Sequence, residues 1–131
     1  MQNKETTAVQ NPAMIAVGSR PDVLVWRQQA GLFQTLKEPR RVVRVGVPGM
    51  SDAMMVVAVT ITPDMVGRTV GVAVAPEFKT RTGRQSESQR GFEAAFTQRG
   101  GVYRLVRDRD DMLALVDDVQ AGRAFKAGGA S

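Results

Sequence analysis

The chain has 131 residues, 43% of them hydrophobic and 24% charged, which allows one domain with one core and is too short for two. Cysteine and histidine are both absent, which excludes disulfides, thiolate metal sites, Ser-His-Asp triads, histidine general bases and zinc held by imidazole. With a net charge of +5 and fourteen Arg against four Lys, the composition suits phosphate binding, and any metal must be a hard cation held by oxygen, magnesium or manganese.

The first segment, residues 5 to 18, reads as helical through Ala8, Val9, Ile15 and Ala16. Pro12 interrupts it, which predicts a kinked helix, or two short ones with Asn11-Pro12 as cap and first position. Gly18-Ser19-Arg20-Pro21 is a break and Val23 to Trp26 a short strand. Residues 28 to 40 read as a polar and basic loop, and Arg41 to Val47 as a strand.

Gly46-Val47-Pro48-Gly49 must turn sharply, and Asp52 then leads into a buried strand over 53–61. Thr69 to Phe78 is the next strand, expected to pair antiparallel with 53–61. Ser86-Glu87-Ser88-Gln89 fits a capping box that opens a helix over 86–99. Gly100-Gly101 ends this helix, Val102 to Val106 is a strand, and Asp110-Asp111 caps a last helix with Met112, Leu115, Val116 and Val119 on its apolar face.

This order predicts an α/β domain, a mixed central sheet flanked by helices, over residues 1–122, with a mobile tail over 123–131. Charge is uneven along it. Residues 20–107 hold fourteen basic and seven acidic side chains, whereas 108–118 hold five Asp and one Arg. The N-terminal MQNKETTAVQ is polar and unlike a signal peptide, and the longest apolar run, 53–61, is too short for a bilayer. A cytoplasmic protein without a membrane partner is expected.

Glu77-Phe78-Lys79 carries the chemistry. Residues i and i+2 of a strand share a face, so the carboxylate and the amine point the same way with the Phe78 carbonyl between them. Alone, the triplet is as well explained by a solvated strand end. If the two strands pair antiparallel, Asp52 joins Glu77 at one end of the hairpin, and two carboxylates and a carbonyl converge. Asp52 could otherwise simply cap its turn. Gln89 shares a helix face with Phe92 and Phe96 and so looks toward Glu77 and Lys79, although the capping box accounts for it equally well.

Gly49-Met50-Ser51-Asp52, Glu77-Phe78-Lys79 and Ser86 to Gln89 resemble the D…ExK…Q pattern of the PD-(D/E)XK nuclease superfamily, and more narrowly its VRR-NUC domain, the virus-type replication and repair nuclease module. Leu24-Val25-Trp26-Arg27 with Gly31, Arg44 to Gly49, Lys79-Thr80 with Gly83, and Gly100 to Tyr103 extend the resemblance over about residues 5 to 108. It implies a restriction-endonuclease-like core and magnesium or manganese held by Asp52, Glu77 and the Phe78 backbone oxygen. Glu5 is the candidate for the first-helix glutamate that completes such sites, although Pro12 departs from a smooth first helix and a surface role for Glu5 is the alternative. Lys79 would be the motif lysine and Gln89 its glutamine.

The expected activity is metal-dependent endonucleolytic hydrolysis of DNA phosphodiesters, directed at branched or four-way (Holliday) junction DNA in DNA repair. The setting would be the cytoplasm of a bacterium or a phage-infected host, and the active form a homodimer. Arg44, Arg81 and Arg84 are the candidate phosphate contacts, against a solvated basic surface. Two other readings compete: a non-catalytic basic nucleic-acid-binding protein on the same fold, and a small metal-dependent nucleotide hydrolase.

Overall fold

The computed structural model describes residues 4 to 125. Contacts divide the chain between Met55 and Val56 into two compact units. The α/β reading holds, with three α-helices and six strands among the described residues. The single central sheet does not appear as such, because the strands form three two-stranded ladders.

The first unit opens with a helical run whose register changes. Thr6–Gln10 is a π-helical turn, and α1 follows as Asn11–Gly18. Proline explains the wide turn. Pro12 has no N–H to donate and its ring crowds the carbonyl four residues back. The Asn11 N–H reaches instead to the Thr6 carbonyl, five residues back, and the helical dihedrals continue unbroken through Gln10 and Asn11. Asn11 is therefore not a cap, and its side-chain oxygen accepts from the Arg27 guanidinium.

Strand β1 (Val23–Arg27) pairs with β4 (Ala53–Val57), and the Gln28 N–H donates to the Asp52 carbonyl at 2.9 Å. The expected loop over 28–40 contains a strand instead. β2 (Gly31–Gln34) runs antiparallel to β3 (Val42–Val45), with Leu32 opposite Arg44 and Gln34 opposite Val42. Gly46 and Gly49 take φ of 72° and 80°, a left-handed backbone that only glycine adopts cheaply, as the sharp turn requires.

The second unit is built on β5 (Val74–Phe78) and β6 (Val102–Val106), which pair in parallel in the register Val74↔Val102 to Phe78↔Val106. Two expectations are corrected here. The strands foreseen over 53–61 and 69–78 stop short, at Val57 and from Val74, and their ladders run to β1 and β6 rather than forming an antiparallel hairpin. Parallel pairing needs a crossover, and α2 (Glu87–Gln98) supplies it. α3 (Arg109–Gln120) follows β6. Its cap is Asp108, which accepts from the Asp111 N–H at 2.8 Å, while Asp110 and Asp111 lie in the first turn.

Strand periodicity assigns the two faces. Val102 and Val106 point to α3 and form the core with Leu115, which is 1% exposed. Arg104 shares that face and pairs with Asp118 of α3 at 2.8 Å. Tyr103 faces the other way, toward α2, where its ring lies 6.2 Å from Phe92. By the same alternation and register, Glu77 lies on the α2 face beside Tyr103. Gly100 (φ 90°) and Gly101 turn α2 into β6, and Gly101 lies so close to buried Phe96 that an added Cβ would come within 2.4 Å of its ring. Of the tail expected over 123–131, Arg123 binds Asp118 and Phe125 is the last described residue; 126 to 131 lie outside the described residues.

Candidate functional site

In the first unit, Glu5 and Asp52 line one cavity of about 560 Å³, walled mainly by apolar side chains of the first helical run, β1 and β4, among them Val9, Met14 and Val25. Glu5 reaches this cavity from the residue just before the π turn, and Asp52 from the residue before β4. The Ser51 hydroxyl donates to the Ala53 carbonyl at 2.8 Å and holds the chain between the Gly49 turn and the strand. Thus two of the four groups assigned to a cation share one cavity. Arg44 is exposed on β3.

In the second unit, Glu77 is the hub. Its Oε1 accepts from the Gln89 side-chain amide and lies 3.7 Å from the Lys79 Nζ. Its Oε2 accepts from the Tyr103 hydroxyl at 3.3 Å. The side chains of Glu77 and Lys79 are 27% and 20% exposed, so the pair is largely withdrawn from water and less screened than a surface ion pair. Lys79 is itself tied down, because its backbone N–H donates to the Val106 carbonyl at 3.1 Å and extends the β5–β6 ladder by one residue.

Gln89 closes its capping box and also reaches Glu77. Its backbone N–H donates to the Ser86 hydroxyl at 3.2 Å and its side-chain oxygen accepts from the Ser86 N–H at 2.9 Å, completing the capping box. The same amide then offers its nitrogen to Glu77. A glutamine can do this because its oxygen accepts while its NH₂ donates; a glutamate could close the box but would repel Glu77.

Tyr103 was not among the expected site residues. Sequence periodicity marks it as a strand residue facing the core, and only the parallel β5–β6 register reveals that it meets Glu77. Burial raises its pKa, with the negative charges of Glu77 and Glu93 adding to the effect against a hydrogen bond with Gln85 that lowers it. Gln85 in turn donates to Glu93 of α2 at 2.9 Å.

The basic turn after Lys79 has its own anchor. The Arg107 Nη1, from just beyond β6, donates to the carbonyls of Thr80, Arg81 and Gly83, the last two at 3.0 Å. Three carbonyls on one guanidinium fix the turn that carries Arg81 and Arg84, both of which are exposed. Phe78, Lys79, Thr80 and Arg107 line an adjacent open cavity of about 610 Å³.

Among the described residues no three acidic side chains gather into a metal-binding group. The donors assigned to a cation, two or three carboxylates and a backbone carbonyl, are all oxygen and of the hard type that magnesium and manganese prefer. No helix of the described residues is long and apolar enough to cross a membrane. Comparison with protein-family models, curated proteins and solved structures returned no match.

Proposed function

We propose that this chain is a metal-dependent endodeoxyribonuclease with a restriction-endonuclease-like core of the PD-(D/E)XK type. The observation that carries this reading is the grouping of Glu77, Lys79 and Gln89, three residues of the D…ExK…Q pattern that lie up to twelve positions apart, around one carboxylate. The strongly cationic composition is the second support.

The motif resemblance alone assigns Asp52, Glu77, the Phe78 carbonyl and Glu5 as the oxygen donors for magnesium or manganese. Such a cation, when bound, polarises a phosphodiester and brings a bound water toward ionisation near neutral pH. Gln89 and Tyr103 each hold one oxygen of Glu77 and so fix the plane of its carboxylate. Lys79 places a positive charge within reach of that carboxylate, where it can orient an attacking water or stabilise charge on the phosphorus oxygens. Arg81 and Arg84, on the turn held by Arg107, would contact the DNA backbone, and Arg44 on β3 would also meet the DNA. Preference for branched or four-way junction DNA, a role in repair and a homodimer that cuts opposing strands all rest on the motif resemblance.

The test is cleavage of branched and linear DNA in magnesium by the wild type, Glu77→Ala and Lys79→Ala. Each substitution should lower the rate by about 10²–10³-fold, the usual effect of removing one group that stabilises the transition state. Normal cutting by both variants would show that the chemistry lies elsewhere. A second reading has one specific observation in its favour: Glu77 already has three protein partners, which a purely structural cluster would also provide. If the wild type binds DNA and never cuts it, the chain is a non-catalytic binder.

A further inference from the structure

The β2–β3 hairpin is the most exposed element of the first unit, and every residue from Leu36 to Gly49 is open to solvent. Between Gly31 and Val47 it carries Lys37, Arg40, Arg41 and Arg44 against one acid, Glu38, a net charge of +3. Glu38 engages only Arg40, at 3.3 Å, through side chains that are 80% and 60% exposed. Such a pair adds little stability and leaves both partners available. An isolated two-stranded hairpin is marginally stable alone, so so much uncovered ribbon calls for an occupant.

Register divides the ribbon into two unlike faces. Leu32, Gln34, Val42 and Arg44 share one side; Gly31, Phe33, Val43 and Val45 share the other. The second side is wholly apolar and its large residues are 39% to 45% exposed, while Leu32 and Val42 on the first side are 62% and 68% exposed. The more open face is therefore the one that carries Arg44 and Gln34. Arginine pairs with the O6 and N7 edge of guanine, glutamine with the N6 and N7 edge of adenine, and exposed aliphatic groups meet the thymine methyl. All three are major-groove features. A groove about 12 Å wide admits a two-stranded ribbon, and Lys37, Arg40 and Arg41, in the connection between the strands, are placed to meet phosphates.

We infer that the β2–β3 ribbon is a DNA-docking element that enters the major groove with its Arg44–Gln34 face while Lys37, Arg40 and Arg41 grip the backbone. The inference deepens the nuclease reading and shares its nucleic-acid partner, but it does not depend on cleavage. A second copy of the chain is the competing occupant. Juxtaposing two ribbons of net charge +3 is electrostatically unfavourable, whereas the same charge attracts a duplex.

The test is fluorescence anisotropy of a labelled B-form duplex in EDTA, which stops metal-dependent cutting, from 50 to 200 mM salt. Wild type is compared with R40Q/R41Q/R44Q and, separately, with L32S/V42S, with sedimentation velocity and circular dichroism on each protein. Removing three arginines should weaken binding at least tenfold at the lower salt and reduce the slope of log K against log salt by about two to three units. R44Q alone should abolish wild-type protection of guanine N7 from dimethyl sulfate.

Unchanged affinity and slope in the triple variant, with its fold intact, would overturn the inference. So would a wild-type dimer that L32S/V42S dissociates while arginine removal leaves DNA binding intact. If ribbon variants bind normally but the enzyme cuts through Glu77, this inference alone fails. If binding needs the ribbon and nothing is ever cut, the nuclease reading alone fails.

Discussion

Glu77 is held from three directions, and the chain's single tyrosine makes one of those contacts directly measurable. The Tyr103 phenol, raised first by burial and then by neighbouring carboxylates, should ionise above the ordinary value of about 10 in a 295 nm absorbance titration. Glu77→Gln removes one negative charge and should bring this ionisation down, yet leave it above the ordinary value because burial remains. No change would place Tyr103 away from Glu77 in solution. The sign for stability follows: a raised phenol pKa gives stability that is complete below the unfolded value and is lost as pH climbs through the folded one. Asp118 behaves in the opposite sense. Its hydrogen bonds from Arg104 and then Arg123 lower its pKa, so its contribution is present above the unfolded carboxylate value and disappears as pH falls through the lower folded one. Asp118→Asn should be less stable than wild type at neutral pH, and the gap between their urea midpoints, followed by circular dichroism, should close as pH falls through the carboxylate range. Residue types and spacing were sufficient to suggest Glu77, Lys79 and Gln89, because a strand end and a helix start are local features. Tyr103 was hidden, because its role depends on which strand lies beside β5.

At the scale of elements, α2 shows why some boundaries are readable and others are not. Its start is set by Ser86 and Gln89 within four residues, and the structure has both halves of the box. Its end is set by Gly100 and by the close approach of Gly101 to Phe96, a side chain only 3% exposed. Gly101→Ala should destabilise the second unit by about 1–3 kcal/mol through overpacking, against a gain of at most about 1 kcal/mol from a stiffer unfolded chain. The steric term wins, and a urea midpoint at or above that of wild type would show that Phe96 yields. The long strands expected over 53–61 and 69–78 were misread for a physical reason. Apolar, β-branched composition records suitability for a strand, whereas strand length depends on a partner, and here each ladder supports only five residues. β2 was missed for the converse reason: it has only four residues, and Gln28 and Gln29 before it and Gln34 at its end give the segment the polarity of a loop.

For the molecule as a whole, composition was informative about class and silent about organisation. The α/β content followed from alternating patterns, but the division between Met55 and Val56 falls inside β4, where no proline, glycine or polar linker marks it. The two units have unequal cores. Val102, Val106 and Leu115 form a buried cluster in the second, with Val72, Val74 and Val119 packed around it. In the first, Val23 is the one buried large hydrophobic among the described residues. Stability in proportion to buried apolar area predicts that the first unit yields first. Trp26, the only tryptophan, lies in β1 and reports on it, while Tyr103 reports on the second. The Trp26 fluorescence midpoint in urea should precede the Tyr103 absorbance midpoint; coincident curves would mean one cooperative transition.

The wide turn at Thr6–Gln10 acts as an angular spacer. An extra residue per turn winds the preceding segment back by about a quarter revolution relative to regular α geometry, and Glu5 is the residue carried by that rotation. The imino acid at position 12 thus sets the azimuth of a carboxylate seven positions upstream. Exchange of Pro12 for alanine would permit ordinary winding and aim Glu5 along a different bearing, with no change to the acid itself.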